Sequence, residues 1–117
     1  LHNEIKYEFN SEMFWVYNDS DVLIDPYKNR HELTITLKCD GKPTIKNDTT
    51  DTSIAINQNI KNTDTFMLKD VDSFLNNDAW GINTDMGYIT LAPGWNKFEV
   101  SGASNVDIKF SFPFLYL

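Results

Sequence analysis

The sequence predicts an all-β fold, an antiparallel β-sandwich or jelly roll. Short segments of alternating apolar and polar residues recur about eight or nine times between clusters of turn-forming residues. Ala is scarce, whereas Asn, Asp and Thr are abundant, which disfavours helices. The 117 residues, 41% of them hydrophobic, suit one domain with one core, so residues 1–117 are predicted to form a single β-sandwich domain.

The first predicted strands lie near the amino end. Apolar residues alternate with Lys6 and Glu8 over residues 5–9, which is typical of a half-buried strand. The run "MFWVY" at 13–17 is apolar throughout, so we expect a short strand that is buried on both faces. A third segment, "VLI" at 22–24, leads into Asp25-Pro26.

The clearest alternation is "LTITLKC" at 33–39, whose apolar phase ends at Cys39. Asp40-Gly41 follows and predicts a hairpin turn, with Ile45 beginning the return strand. Segment 106–117, "VDIKFSFPFLYL", alternates in the same way and places Pro113 at an edge or bend. The predicted shared core consists of Leu33, Ile35, Leu37, Ile108, Phe110 and Phe112.

The middle of the chain gives weaker signals. Residues 46–52 predict a polar loop, and "FMLKDV" at 66–71 predicts a strand. Residues 72–87 are ambiguous, and we expect a long loop that carries either a short strand or a helical turn.

A tight turn is predicted at "APGWN", residues 92–96, between the strand-like segments "YITL" and "KFEV". Pro93 would set φ at the first central position, and Gly94 would take the positive φ of the second. Asn96 would bond a neighbouring backbone group. We expect the Trp95 ring to cover the open end of the core, and the alternative is that Trp95 is displayed to a ligand.

Composition and motifs disfavour several classes of function. A formal charge of −7 disfavours nucleic acid and anionic membrane surfaces as partners, and no apolar run approaches the length of a membrane span. Cys39 is the only cysteine, and its place on the apolar face predicts burial. No catalytic or phosphate-binding motif is present, so we predict no enzyme activity, catalytic residue or cofactor.

Two kinds of binding site need weighing. Asp70, Asp72, Asn76 and Asp78 are oxygen ligands that suit calcium, but Phe74 and Leu75 interrupt the spacing of a binding loop, so we predict a solvated acidic loop and no metal. Aromatic faces of β-sandwiches can stack on sugar rings, and here such rings could also be structural and buried. The residues that could contact a carbohydrate or a partner are Trp80, Tyr88, Trp95, Asn77 and Asn83.

Three segments in order resemble one protein family. "WVYNDSDVLIDP" at 15–26 and "LAPGWNKFEVSG" at 91–102 are similar to two stretches of the C-terminal domain of siphophage distal tail proteins. "VDIKFSFPFLYL" is similar to that domain's terminal strand, with its aromatic-rich close. The resemblance covers roughly residues 15–117, and it is loosest between 46 and 83.

The resemblance implies a non-enzymatic structural component of a phage or prophage tail tip. In that family an N-terminal domain, which has no counterpart here beyond a possible remnant at 1–10, builds a hexameric ring around the tail tube. The C-terminal domain of that family is similar to galactose-binding sandwiches, so the resemblance implies a galactose-binding-like fold here. That domain projects outward from the ring and links the tail to the adsorption apparatus. The implied partners are the tail tube, the tail-associated hub and the receptor-binding protein, in a virion assembled from protein made in the bacterial cytoplasm. We expect the isolated chain to be a monomer, and the alternative function is a carbohydrate-binding module for cell-wall polysaccharide.

Overall fold

A computed structural model describes residues 4–9, as backbone, and residues 12–113. His2 and the aromatic-rich close of the predicted terminal strand, at 114–117, lie outside the described residues. Within them the structure is all-β and antiparallel, and its one helical element is a single 3₁₀ turn. No helix in this part of the chain is long and apolar enough to cross a membrane.

Eight strands form one continuous sheet. They are β1 (Glu4–Phe9), β2 (Met13–Asn18), β3 (Thr34–Asn47), β4 (Thr52–Ala55), β5 (Phe66–Lys69), β6 (Asp72–Leu75), β7 (Asp78–Ala79) and β8 (Gly94–Pro113). The 3₁₀ turn, Gly81–Asn83, lies between β7 and β8.

The long strands β3 and β8 pair along most of their length and form the centre of the sheet. The first part of β8 pairs with β2, and its last part pairs with β1. Likewise, the first residues of β3 pair with β5 and its last residues with β4. Each half of the central pair therefore carries its own flanking strands, and β6 and β7 extend the half that contains β5.

The central pair bends where two glycines meet. Gly41 in β3 has φ +129°, and Gly102 in β8 has φ +78°. A Cβ on Gly41 would lie 2.6 Å from the carbonyl oxygen of Gly102, and one on Gly102 would clash with the backbone oxygen of Lys42. The pairing register shifts between Lys38 and Asp40 and again between Gly41 and Thr44. Glycine is thus required here both for its φ and for the close approach of the strands.

Ring contacts show that β8 folds back on itself. Phe98 and Phe110 are twelve residues apart and would be about 40 Å apart in a straight strand. Their ring centroids are 4.7 Å apart. Phe14 of β2 stacks on Phe98 at 5.6 Å and meets Phe110 edge-on at 5.8 Å. The inner faces of the two halves of the sheet therefore enclose one core.

The predicted core is confirmed. All six predicted residues are buried in a single hydrophobic cluster, together with Cys39. The cluster also takes side chains from segments outside the long strands. These additional members include Ile24, Ile60, Ile89 and Leu91.

The predicted hairpin at Asp40-Gly41 is wrong. β3 continues through both residues to Asn47, and Ile45 lies in the same strand rather than in a return strand. In the same way, "KFEV" and the segment from Val106 onward belong to one strand, β8. The positive φ of Gly41 belongs to the bend of the central strands, where Gly41 pairs with Ala103 of β8, and not to a local turn.

Three other segments differ from expectation or resolve an ambiguity. "MFWVY" is not buried on both faces, because Phe14 and Val16 are buried whereas Met13 and Trp15 are exposed. "YITL" is not a regular strand, since only Leu91 forms a bridge, with Ile24. Residues 72–87 contain both alternatives, namely two short strands and the 3₁₀ turn.

Candidate functional site

The turn before β8 is held by a buried asparagine. Gly94 has φ +89°, and Asn96 is completely buried. Asn96 Oδ1 accepts a hydrogen bond from the Ala92 N–H at 2.8 Å. Asn96 Nδ2 donates to the carbonyl oxygens of Ala92, at 2.9 Å, and Gly94, at 3.1 Å. The side chain therefore forms hydrogen bonds with the backbone of the turn, in place of those that a neighbouring strand would otherwise supply.

Two further buried asparagines join this turn to other strands. Asn47, at the end of β3, donates to Asn96 Oδ1 at 3.1 Å and to the Thr90 carbonyl at 2.7 Å. Asn18, at the end of β2, donates to the carbonyls of Leu91 and Ala92, each at 3.2 Å. We call Asn18, Asn47 and Asn96 the asparagine network.

The expectation that Trp95 covers the core is wrong. Its side chain is 60% exposed. β8 begins at Gly94, so the alternation that buries Asn96 and Phe98 already applies at Trp95 and points it to the outer face. The turn is shorter than the sequence suggested, so the alternation of inward-facing and outward-facing residues in β8 already includes Trp95.

Trp95 lies in a group of outward-facing residues that we call the aromatic face, made of Met13, Trp15 and Tyr17 of β2 and Trp95 of β8. Tyr17 is opposite Trp95 in the ladder, and their rings meet edge to face at 5.0 Å. Trp15, 51% exposed, lies two residues before Tyr17 on the same face of β2. Trp15 and Trp95 line an open hollow of about 420 Å³. This size is within the range of small-molecule sites.

Charged side chains border the aromatic face. In the ladder, Lys97 is opposite Trp15, and Glu99 is opposite Met13. Glu99 also pairs with Lys46 of β3. A second hollow of about 360 Å³ lies here, with Met13, Lys46 and Glu99 among its lining residues.

Two carboxyl groups meet at this border. A side-chain hydrogen bond to Asp48, together with the negative charge of Asp48, raises the pKa of Glu99 above its usual value. Lys46 Nζ lies 3.9 Å from a carboxylate oxygen of Asp48 and 3.6 Å from one of Asp51. The aromatic face is thus bordered by lysine ammonium groups, which donate hydrogen bonds, and by carboxyl groups, which accept them.

The residues that the sequence analysis singled out for ligand contact are not assembled in one place. Trp80 packs edge-on against Phe66 at 6.0 Å, at the margin of the core. Tyr88 stacks on Tyr27 at 5.2 Å. Within the described residues each of the three rings has a different ring partner, and no ring contact joins Trp80, Tyr88 and Trp95 to one another.

The two predicted amide contacts have backbone roles in turns. Asn77 is exposed, with φ +71°, in the turn between β6 and β7. Asn83 ends the 3₁₀ turn, where its N–H donates to the Trp80 carbonyl at 3.0 Å. Its carbonyl accepts from the Asn57 N–H at 2.8 Å.

Two of the four residues considered for calcium, Asp70 and Asn76, have side-chain hydrogen bonds within the protein. Asp70 Oδ1 accepts from the Leu33 N–H at 2.8 Å. Asn76 Oδ1 accepts from the Thr65 N–H at 2.9 Å, and its amide donates to Asp64 at 3.1 Å. Among the described residues, no three His, Cys, Asp or Glu side chains are grouped so that they could hold a metal ion.

Cys39 and His31 are of residue types that are often used in catalysis, and both interact with neighbouring parts of the fold. Burial, and secondarily the charge of Asp40, raises the pKa of the Cys39 thiol to about 11. His31 Nδ1 accepts a hydrogen bond from the Asp25 N–H at 2.9 Å. Asp25 in turn accepts from the backbone of Tyr27 and Lys28, which fixes the turn after Ile24.

No protein-family model matches the chain, and a search of curated proteins finds no significant match.

The sequence analysis missed Trp15, Tyr17 and Met13 as surface residues. The signal was present, because Phe14 and Val16 alternate with them within β2. Five consecutive apolar residues concealed that period. A strand with one covered face and one aromatic outer face gives the same apolar run as a fully buried strand.

Proposed function

We propose that the chain is a non-enzymatic structural and binding domain of a phage or prophage tail tip, the peripheral domain of a distal tail protein. Its fold would be a β-sandwich or jelly roll of the galactose-binding-like kind. Its partners would be the tail tube, the hub and the receptor-binding protein, in a full-length protein that forms a hexamer.

The asparagine network is the observation that carries this proposal. Asn18 belongs to the first of the similar stretches and Asn96 to the second. The two stretches are more than 60 residues apart, yet both side chains bond the same carbonyl, that of Ala92. The residues behind the resemblance therefore act together as one structural unit, which supports a shared architecture over a chance match of short motifs.

The folded-over sheet supports the finer fold assignment. The two halves of the β3–β8 pair carry separate flanking strands, and Phe98 of one half packs on Phe110 of the other. Two antiparallel layers around one aromatic core are the arrangement of a sandwich. Such a domain would serve as a rigid spacer with outward-facing surfaces for its partners.

Mass spectrometry of purified phage particles tests the proposal. We expect peptides of this chain in particles banded on a density gradient, at a copy number that is a multiple of six relative to a single-copy tail protein. A soluble host protein serves as the control for contamination. Enrichment of the chain in the host cell fraction, with none in intact particles, would contradict a virion role.

A carbohydrate-binding module is the second candidate, because the aromatic face favours it. Trp15 and Trp95 are both about half exposed and border one hollow. Large exposed aromatic residues beside polar side chains are typical of ligand surfaces. Saccharide binding is compatible with a tail-tip location, so the two proposals can both hold.

A further inference from the structure

We propose that the aromatic face binds an uncharged polysaccharide, with one pyranose ring seated between Trp15 and Trp95 and the neighbouring unit over Met13 and Glu99. This inference rests on the carbohydrate-binding function proposed above. It assigns the site to the outer face of β2 and β8. Of the residues that the sequence suggested, this site keeps Trp95 and leaves out Trp80, Tyr88, Asn77 and Asn83.

The two tryptophans are held in place by regular strands. Trp15 is central in β2, and Trp95 is paired with Tyr17, whose ring contacts it at 5.0 Å with an interplanar angle of 63°. The ring of Trp95 is therefore supported on one side and open on the other. A pyranose ring presents C–H groups on its faces, and these pack well against a fixed aromatic surface that needs little ordering on binding.

Hydrogen-bonding groups lie next to both hollows. Lys97 is opposite Trp15, and Glu99 and Lys46 border the second hollow. Carboxylate oxygens accept from sugar hydroxyls, and ammonium groups donate to them. Residues on one face of a strand recur every two positions, so Trp15 and Met13 are about 7 Å apart along β2. That separation lets adjacent sugar units lie over the two hollows in turn.

The size of the aromatic face favours a saccharide over a protein partner at this place. The exposed parts of Met13, Trp15 and Trp95 offer on the order of 300 Å² of apolar surface. A standard protein interface covers about 800 Å² on each partner. Charged residues border the aromatic face on the β8 side, so its apolar area does not continue across Lys97 and Glu99.

Charge favours an uncharged polymer. The chain has a formal charge of −7, which opposes the approach of anionic polysaccharides. The border of the site contains lysine and carboxylate side chains together, so it has no cationic surface that would select an acidic sugar.

Tryptophan fluorescence and calorimetric titration with defined sugars test the site. The probes are maltohexaose, laminarihexaose, chitohexaose and the neutral polysaccharide fraction of the host cell wall, with polygalacturonate as the anionic comparison. We expect at least one neutral probe to bind, and Trp15→Ala and Trp95→Ala each to weaken that binding at least tenfold. Trp95→Phe should retain an intermediate affinity because a smaller ring remains.

Matched variants separate the site from the fold. Trp80→Phe keeps an aromatic ring against Phe66 and should leave binding unchanged, as should Ile82→Ala at a 92% exposed position on the 3₁₀ turn. Urea unfolding should show that Trp95→Ala is still folded, with a midpoint lowered only slightly by the loss of the Tyr17 ring contact.

The outcomes distinguish the proposed binding site from the proposed carbohydrate-binding function. Neutral sugar binding that survives both alanine variants would overturn this site and leave the carbohydrate-binding function standing. If the unchanged chain bound none of the neutral probes, both the site and that function would fail. Preference for polygalacturonate would contradict the assignment of an uncharged ligand.

Discussion

At the scale of single residues, Asn96 shows how a polar side chain can organise a core. It is completely buried, and its oxygen accepts from both Ala92 and Asn47 while its amide donates to Ala92 and Gly94. No buried side-chain nitrogen or oxygen among the described residues lacks a hydrogen-bond partner. Complete satisfaction makes such a network stabilising, because each lost partner leaves another group without one.

Replacing Asn96 with Ala should therefore be strongly destabilising. The Ala92 N–H would lose its acceptor and the Asn47 amide one of its two, and we expect the free energy of unfolding to fall by about 2–4 kcal/mol. Urea denaturation measures the change. Asn57→Ala, at an exposed asparagine outside the network, should change it by less than about 0.5 kcal/mol. Equal effects of the two substitutions would argue against a structural role for the network.

Cys39 allows a prediction about pH. Its folded pKa, about 11, is above the ordinary value of 9.0, because burial disfavours the thiolate. The unfolded chain therefore loses this proton more readily than the folded chain. Any stability that the thiol contributes is complete below pH 9 and is lost as the pH rises from about 9 to 11.

Thiol reactivity measures the same property directly. We expect Cys39 to react slowly with a disulfide reagent at pH 8 in the native state and rapidly in denaturant. Cys39→Ala should lower the free energy of unfolding by about 1 kcal/mol and flatten its decline above pH 9. Rapid stoichiometric labelling without denaturant would show that the face of β3 carrying Cys39 is accessible.

Residue-level properties could be predicted only where they depend on local chemistry. The Pro-Gly-Trp-Asn turn correctly indicates that Asn96 bonds a nearby backbone group. Its bonds to Val16 and Asn47 span 80 and 49 positions in the chain, so no local signal contains them. The exposure of Trp95 was not predicted because the turn is shorter than the sequence suggested and the strand begins at Gly94.

At the scale of elements, the bend in β3 and β8 decides the fold. Gly41 and Gly102 lie in the central strands, and each would clash with the partner strand's backbone if it carried a Cβ. The sequence indicated Gly41 as a hairpin residue because Asp-Gly favours the same positive φ in a turn and in a bulge. Alternation found the inner faces of β3 and of the last part of β8 correctly, since it depends only on neighbouring residues.

Two glycine substitutions separate the clash from the φ penalty. Gly94 has φ +89°, and no atom lies within 4 Å of a Cβ added there. We therefore expect Gly94→Ala to lower the free energy of unfolding by about 1 kcal/mol. Gly102→Ala adds a clash with the Lys42 carbonyl to a similar φ, so we expect a loss of about 3 kcal/mol or more. Chemical denaturation of both variants compares them, and a smaller loss for Gly102→Ala than for Gly94→Ala would contradict the bend.

At the scale of the whole molecule, composition predicted the class of fold but not the path of the sheet. Abundant strand segments and few helix formers indicated an all-β protein. The antiparallel sheet is built mainly from pairings distant in sequence, such as β3 with β8 and β2 with β8. Strand order and the folding of β8 onto itself depend on these contacts, which periodicity does not encode.

The isolated chain should be a monomer. Its formal charge of −7 opposes self-association, and the aromatic face is smaller than a stable dimer interface needs. Multi-angle light scattering at micromolar concentration should give a mass near 13.5 kDa. A stable hexamer of the isolated chain would show that this domain carries ring-forming contacts of its own.

Cryo-electron microscopy of intact tails tests the central claim, a peripheral domain at the tail tip, most directly. We expect the folded sheet, with its bend at Gly41 and Gly102, to fit six equivalent densities outside the ring that surrounds the tail tube. The aromatic face should be open to solvent in those positions. Density for this sheet inside the tube wall, or a well-resolved tail tip with no density that it fits, would contradict the proposed function.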